Sequence, residues 1–327
     1  MANRTTNANW RMPDEAARHE CTWMAFGADE EIWDDLTSGV QRSLANIANS
    51  IAKFEPVKML ARSSDMRLAS RLCSQKVKLV EADLDDIWIR DTGPTFVVKN
   101  TDSEIELGAV DLNFNGWGNK QAHDRDATVA GFVADQARAT YLASDIVGEG
   151  GGLEVDGEGT AIITESCFVN DNRNPAMKRE DIENELRYLL GLHKIIWLPG
   201  IRNNDITDGH TDFYARFARP GVVVAGLEMD RDSFDYDVTR EHLEILKTTT
   251  DGKGRRLKVV TLESPRRIRE DWRTGDFAAG YINFYVVNGA VIAPQFGDRK
   301  ADNRCLQSLT ELFPKRKIIQ LNIDAIA

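Results

Sequence analysis

The sequence predicts an α/β protein built from one supersecondary unit repeated around a ring, with four units complete and a fifth lacking its opening strand. Three observations carry this. A strand pair, a helix and a strand recur in that order, restarting roughly every 60 to 70 residues. Hairpin-turn signals fall between the paired strands: Asp156–Gly159, Arg219–Gly221 and Asn288-Gly289. Polar residues able to do chemistry stand at the same phase of each restart.

The N-terminal stretch fits the unit with its beginning removed. Cys21–Phe26 reads as a strand, Glu30–Ala52 as a helix and Val57–Ala61 as a strand, followed by an extra helix at Ser64–Cys73 and a strand at Lys76–Glu81. The first complete unit has two short strands over Asp86–Val98 around Asp91–Pro94, a helix over Ala122–Tyr141 and a strand at Asp145–Gly148. The second has a hairpin over Glu149–Glu165, a helix at Lys178–Leu190 and the strand Lys194–Leu198. The third has a hairpin over Asp208–Leu227, a helix at Val238–Thr249 and the strand Leu257–Leu262. The fourth has a hairpin over Gly280–Pro294, a helix at Lys300–Phe313 and the strand Lys317–Ile323. A closed ring removes open sheet edges, so the missing opening strand is expected beyond Ala327. An open α/β sheet with an ordinary terminus is the other arrangement the pattern allows.

No Pro- or Ser-rich linker divides the chain, so residues 1–327 read as a single domain. The net charge of −11, without a Lys/Arg cluster, argues against nucleic acid as a partner and favours a small cationic one. No apolar run is long enough to span a membrane. Met1–Asn9 is polar and lacks the apolar centre of a signal peptide, so a cytoplasmic location is expected. Cys21, Cys73, Cys167 and Cys305 lie far apart with no ligand spacing, so they read as reduced thiols and no metal is expected.

His210 and Asp212 lie two apart in Asp208-Gly-His-Thr-Asp212, before the strand-like run Phe213–Phe217. On a strand they would share a face, one a proton carrier and the other a fixed anion. An Asx/Gly turn with a solvated Asp is the plain alternative. In a ring, the opening strands would bring Trp88, Arg90 and Asp91 together with Glu149, with this pair and with Asn283. Each has an ordinary reading: Arg90-Asp91 as a surface ion pair, Glu149 as a turn cap, Asn283 as a core amide. Together they make an anionic pocket with an aromatic face, suited to a planar guanidinium. A nucleophile is what the set lacks.

At these residues the chain resembles the agmatine deiminase family, grouped with the bacterial, Porphyromonas-type peptidylarginine deiminases in the guanidino-group-modifying pentein superfamily. The resemblance rests on Arg11-Met-Pro-Asp-Glu15, Cys21–Ala25, the WxRDxGP run Trp88–Pro94 and Phe114–Gly118. It continues through Glu149-Gly-Gly151, Val155–Gly159, Asp208–Asp212, Tyr281–Phe284 and Ala293–Gly297. It implies a five-bladed α/β propeller with a central active site. It also implies hydrolysis of agmatine to N-carbamoylputrescine and ammonia, in putrescine (polyamine) biosynthesis, through a covalent thiouronium and without metal or organic cofactor. A homodimer is the expected assembly.

Carried over by motif, Asp91 and Asp212 bind the guanidinium, His210 is the general acid/base and Glu149 positions it. Trp88, Trp117 and Asn283 fall near the substrate. Two departures stand out. Where the family often has EGGxxH, this chain has Glu154 in the last place. The family's nucleophile lies in a C-terminal GGxxHC segment that is absent from residues 1–327, so the chain is expected to bind a guanidine but scarcely turn it over. Three other readings remain: an arginine or peptidylarginine deiminase, a catalytically dead guanidinium-binding scaffold, and a metal hydrolase using Asp208, His210 and Asp212.

Overall fold

The computed structural model describes residues 9–101, 104–272 and 277–327; the polar N-terminal stretch read above lies outside them up to residue 8. Five three-stranded sheets are present among the described residues. They comprise β1 (Thr22–Phe26), β2 (Val57–Ala61) and β3 (Val77–Glu81); β4 (Thr95–Asn100), β5 (Ile105–Asp111) and β6 (Thr140–Ala143); β7 (Leu153–Val155), β8 (Thr160–Thr164) and β9 (Lys194–Leu198). The last two comprise β10 (Ala215–Arg219), β11 (Val222–Leu227) and β12 (Lys258–Glu263), then β13 (Tyr285–Val287), β14 (Ala290–Gln295) and β15 (Lys317–Asn322). In the sheets opened by β4, β7 and β13 the first two strands are antiparallel and the third is parallel. β10 and β11 form the same antiparallel hairpin. The first sheet is parallel throughout and has no antiparallel opening strand, as the incomplete fifth unit required.

The helices sit where apolar periodicity placed them. Arg179–Leu190 buries Ile182, Leu186, Leu189 and Leu190 on one stripe, and Gly191 ends it in the left-handed conformation at φ 69°. Arg299–Leu312 starts on the Asp298 side chain, which accepts from the Lys300 and Ala301 N–H groups.

Contacts gather into two compact units. One comprises Met1–Asp14, Arg90–Ala225 and Phe234–Val260; the other comprises Glu15–Ile89, Gly226–Ser233 and Thr261–Ala327. The first has a core of Trp10, Val97, Val110, Leu153, Ile163 and Phe168 under Ile182 and Leu186. The second packs Met24, Phe26, Val40 and Leu44 with Met59, Val287 and Ile292. In the second unit Glu55 is buried between the His19 ring and the Asn288 N–H, which ties the chain before β1 to the β13–β14 hairpin.

Four expectations are corrected. The first hairpin is β4–β5 rather than a pair around Asp91, because Ile89–Thr92 coils into a helical turn. The helix expected over Ala122–Tyr141 is only Val129–Ala137, ended by Arg138 at φ 54°. The strand expected at Asp145–Gly148 is absent, and β6 lies earlier. Asn113 donates to the Ser144 and Ile146 carbonyls and Asn174 accepts from the Val147 N–H, so side chains satisfy the backbone groups a ladder would have used. His210 and Asp212 are not on a strand either. Asn203, Asp208 and Gly209 all have positive φ, and a 3-10 turn at Thr211–Phe213 precedes β10. The common phase survives in altered form: Asp91, Glu149, His210, Asp212 and Asn283 each stand in the irregular segment just before an opening strand.

Candidate active site

Five of the residues singled out by sequence meet inside the first unit: Asp91, Trp117, Glu149, His210 and Asp212. Glu149 enters in extended conformation and a glycine turn, Gly150–Gly152, follows it. Glycine is required at 151, where a Cβ would lie 2.5 Å from His210 Nδ1 and 2.7 Å from Asp91 Oδ1. Without that side chain the Gly151 N–H donates to Asp91 Oδ1 at 2.9 Å. The other Asp91 oxygen accepts from Trp117 Nε1 at 3.0 Å. Trp117 is held at φ 55° in a left-handed run from Gly116 to Asn119, a costly conformation for a large side chain. Asn115 fixes the run by accepting from the Gly118 N–H, and Phe114 packs edge-on against the indole.

His210 is 2% exposed. Its Nε2 faces Glu149 Oε2 at 3.3 Å and its Nδ1 faces Asp91 Oδ1 at 3.8 Å. The Thr207 hydroxyl accepts its backbone N–H, while the Thr211 hydroxyl donates to the Gly152 carbonyl, so the turn is sewn to the glycine segment. Burial works against a charged imidazole here, but the Asp91 charge and the Glu149 hydrogen bond outweigh it and raise the His210 pKa well above its ordinary value. Asp212 is the opposite case. Burial and the neighbouring Asp91 charge push its carboxyl up to about 6, against the pull of His210, Arg90 and Arg216. Its Oδ1 is sealed from solvent with no hydrogen-bond partner.

Arg173 and Cys167 complete the arrangement, and the sequence reading missed both roles. Arg173 is fully buried. Its Nε donates to both Glu149 oxygens at 2.7 and 3.0 Å, and its Nη1 donates to Asp208 Oδ2 at 2.8 Å and to Asn172 Oδ1 at 3.0 Å. Its Nη2 donates to the Thr207 carbonyl at 2.9 Å. Burial alone would raise the Glu149 pKa, yet His210 and Arg173 hold it below the ordinary carboxylate range. Asp208, also paired with Lys120, is held at about 2 despite its burial. The cluster of Asn170, Asn172, Arg173 and Asn174 in a segment without apolar periodicity is the signal that could have marked this residue. Cys167 Sγ donates to Glu149 Oε2 at 3.2 Å. Burial and the Glu149 charge push its thiol up to about 11.

Glu154 accepts from Arg216 Nε at 2.8 Å and from the Phe217 N–H at 2.8 Å. Trp88 and Asn283 belong to the second unit. There the Trp88 ring lies against Trp33, and Asn283 is exposed.

Residues 11–327 match the model of the Porphyromonas-type peptidyl-arginine deiminase family. The chain belongs to that family. Agmatine deiminase of Pseudomonas aeruginosa (strain LESB58) is 36% identical over 98% of this chain and 93% of its own length. Agmatine deiminase of Medicago truncatula is 34% identical over 98% and 92%. The solved structure of agmatine deiminase of Enterococcus faecalis superposes with a TM-score of 0.90 at 30% identity, covering 97% of this chain and 92% of that one. The fold class is therefore the pentein α/β propeller of pseudo-fivefold repeats, with which the five small sheets agree. The chain is accordingly a hydrolase of the class acting on carbon–nitrogen bonds in linear amidines.

Two predictions follow from the charges. Arg173→Met strands the buried carboxylates of Glu149 and Asp208, and should cost about 3–5 kcal/mol in urea unfolding at pH 7. Asp212 binds its proton more tightly folded than unfolded, so its ionisation removes stability as pH rises from about 4 to about 6. Asp212→Asn should therefore be ~1–2 kcal/mol more stable than the parent at pH 8, the gap closing by pH 4 in paired urea melts.

Proposed function

We propose that this site hydrolyses a guanidine, with agmatine as its substrate, to N-carbamoylputrescine and ammonia, in cytoplasmic polyamine (putrescine) biosynthesis. The observation that carries the reading is the Asp212 carboxylate, whose sealed Oδ1 has no partner while Asp91 is fixed beside it by Gly151 and Trp117. A buried acceptor left unpaired costs about 1–3 kcal/mol, and a guanidinium N–H supplies the missing donor. The agmatine deiminases among the relatives support the choice of substrate.

In this reading Asp91 and Asp212 grip the guanidinium and keep its central carbon electrophilic. A thiolate adds to that carbon, and the tetrahedral adduct expels ammonia, which takes a proton from His210. The product of that step is a covalent thiouronium. His210, now neutral and held by Glu149, takes one proton from water as the water attacks, and the hydroxyl proton of the adduct passes to solvent as the ureido product and the thiolate separate. Arg173 keeps Glu149 ionised throughout.

None of the four thiols in residues 1–327 is prepared to be that thiolate. Burial raises the pKa of Cys21 and Cys73, and pushes Cys305 up to about 12 and Cys167 up to about 11. The proposal therefore includes that the 327-residue chain binds agmatine and releases ammonia only slowly.

Calorimetry with agmatine tests the binding half. Affinity should fall about tenfold per pH unit below about 6, as a proton competes for Asp212, and Asp212→Asn should bind weakly with that dependence gone. Equal affinity for the parent and Asp212→Asn would sink the assignment. Ammonia release from agmatine, arginine and an arginyl peptide tests the chemistry. Robust turnover by this chain would overturn the thiol argument, and a preference for the peptide would overturn the substrate.

A further inference from the structure

Glu149, Cys167 and His210 bring an oxygen, a sulfur and a nitrogen donor within 4.8 Å of one another, all three residues buried. Glu149 Oε2 lies 3.2 Å from Cys167 Sγ and 3.3 Å from His210 Nε2. Zinc bonds of about 2.0–2.3 Å in tetrahedral geometry give ligand–ligand edges of about 3.3–3.6 Å, so the two edges at Glu149 Oε2 are near that size and the third, within 4.8 Å, adjusts around an ion. The groups behind the donors are also in place. His210 Nδ1 faces the Asp91 carboxylate at 3.8 Å, a charged neighbour on the side of the ring away from the trio. Arg173 Nε lies 2.7 Å from Glu149 Oε1 and 3.0 Å from Oε2, so it orients the carboxylate whose Oε2 also faces the other two donors. Asp91, Asp208 and Asp212 supply further negative charge around the trio, against Arg173, Lys120 and, on the Asp212 side, Arg90 and Arg216.

We propose that Glu149, Cys167 and His210 form a site for one soft divalent cation of the zinc or cadmium class, and that the bound ion inhibits the enzyme. Binding breaks the S–H bond of Cys167, forms a metal–sulfur bond and releases the proton to water. Any proton on His210 Nε2 leaves with it, and no electrons are exchanged. The ion occupies the nitrogen that the proposed deimination uses for proton transfer, and water completes its coordination. The trio escapes sequence spacing because its members are 18 and 43 residues apart, on three separate segments. Simple hydrogen bonding among the three side chains is the rival account, and it predicts no ion binding.

Titration of the intact chain with cadmium chloride, followed by the ultraviolet charge-transfer absorbance of the cadmium–thiolate bond, separates the two. The parent should saturate at one equivalent in the micromolar range. Cys167→Ala should lose the band while retaining Cys21, Cys73 and Cys305, and His210→Gln should weaken the affinity by at least about tenfold. A variant with Ser at positions 21, 73 and 305 should keep the band, which decides the matter even where Cys167→Ala does not fold. Absence of the band in the parent, its loss in the triple variant, or an unchanged affinity in His210→Gln would each overturn the site. These readouts do not depend on turnover, so failure of the deiminase reading would leave them intact.

Discussion

The site depends on the burial of one guanidinium, that of Arg173. Its donors go to Glu149, Asn172, Asp208 and the Thr207 carbonyl, with side-chain exposure near zero. Burying so many charges is expensive, and an apolar cluster of equal volume would stabilise the fold as well or better. What the pair supplies instead is position. Glu149 precedes β7 and Asp208 precedes β10 by different routes through the chain. One rigid planar fork sets the distance between the segments that carry Glu149 and His210.

The same economy explains why function sits in turns rather than on strands. The backbone groups of a strand are committed to its ladder. The segments before β4, β7 and β10 have theirs free to serve side chains, as when the Gly151 N–H holds Asp91. That freedom brings strain, visible in the left-handed Trp117 and Asp208. It also leaves Asp212 with an unpaired oxygen beside a second carboxylate. Both are costs to the folded state, and under the proposed function a bound guanidinium would relieve the second by supplying the missing donor.

Most of the fold was legible because its signals are local. Strand boundaries such as Val57–Ala61 and Lys194–Leu198 follow from apolar runs and turn residues, and the Arg179–Leu190 helix from a 3.6-residue stripe. The errors arose where distant side chains took over backbone groups, as Asn113 and Asn174 do around residues 144–147. The candidate residues were legible by phase and motif, although the strand argument for His210 and Asp212 was wrong in detail. They share a face because a 3-10 turn folds both toward Gly151. Arg173 was hard to read, since its partners lie 24 and 35 residues away and only the run of asparagines around it sets it apart from a surface arginine.

Glu154 shows how geometry can reverse the meaning of a residue. An additional acid next to a cation-binding pocket would, from sequence alone, be counted as a further anchor for a positively charged substrate. Its two oxygens are instead taken by Arg216 and the Phe217 N–H, so the pair is close to neutral and Glu154 has no free charge to offer. Arg216 in turn lowers the Asp212 pKa, though not enough to offset burial and Asp91. The Glu154–Arg216 pair thus adds no net anion beside Asp212.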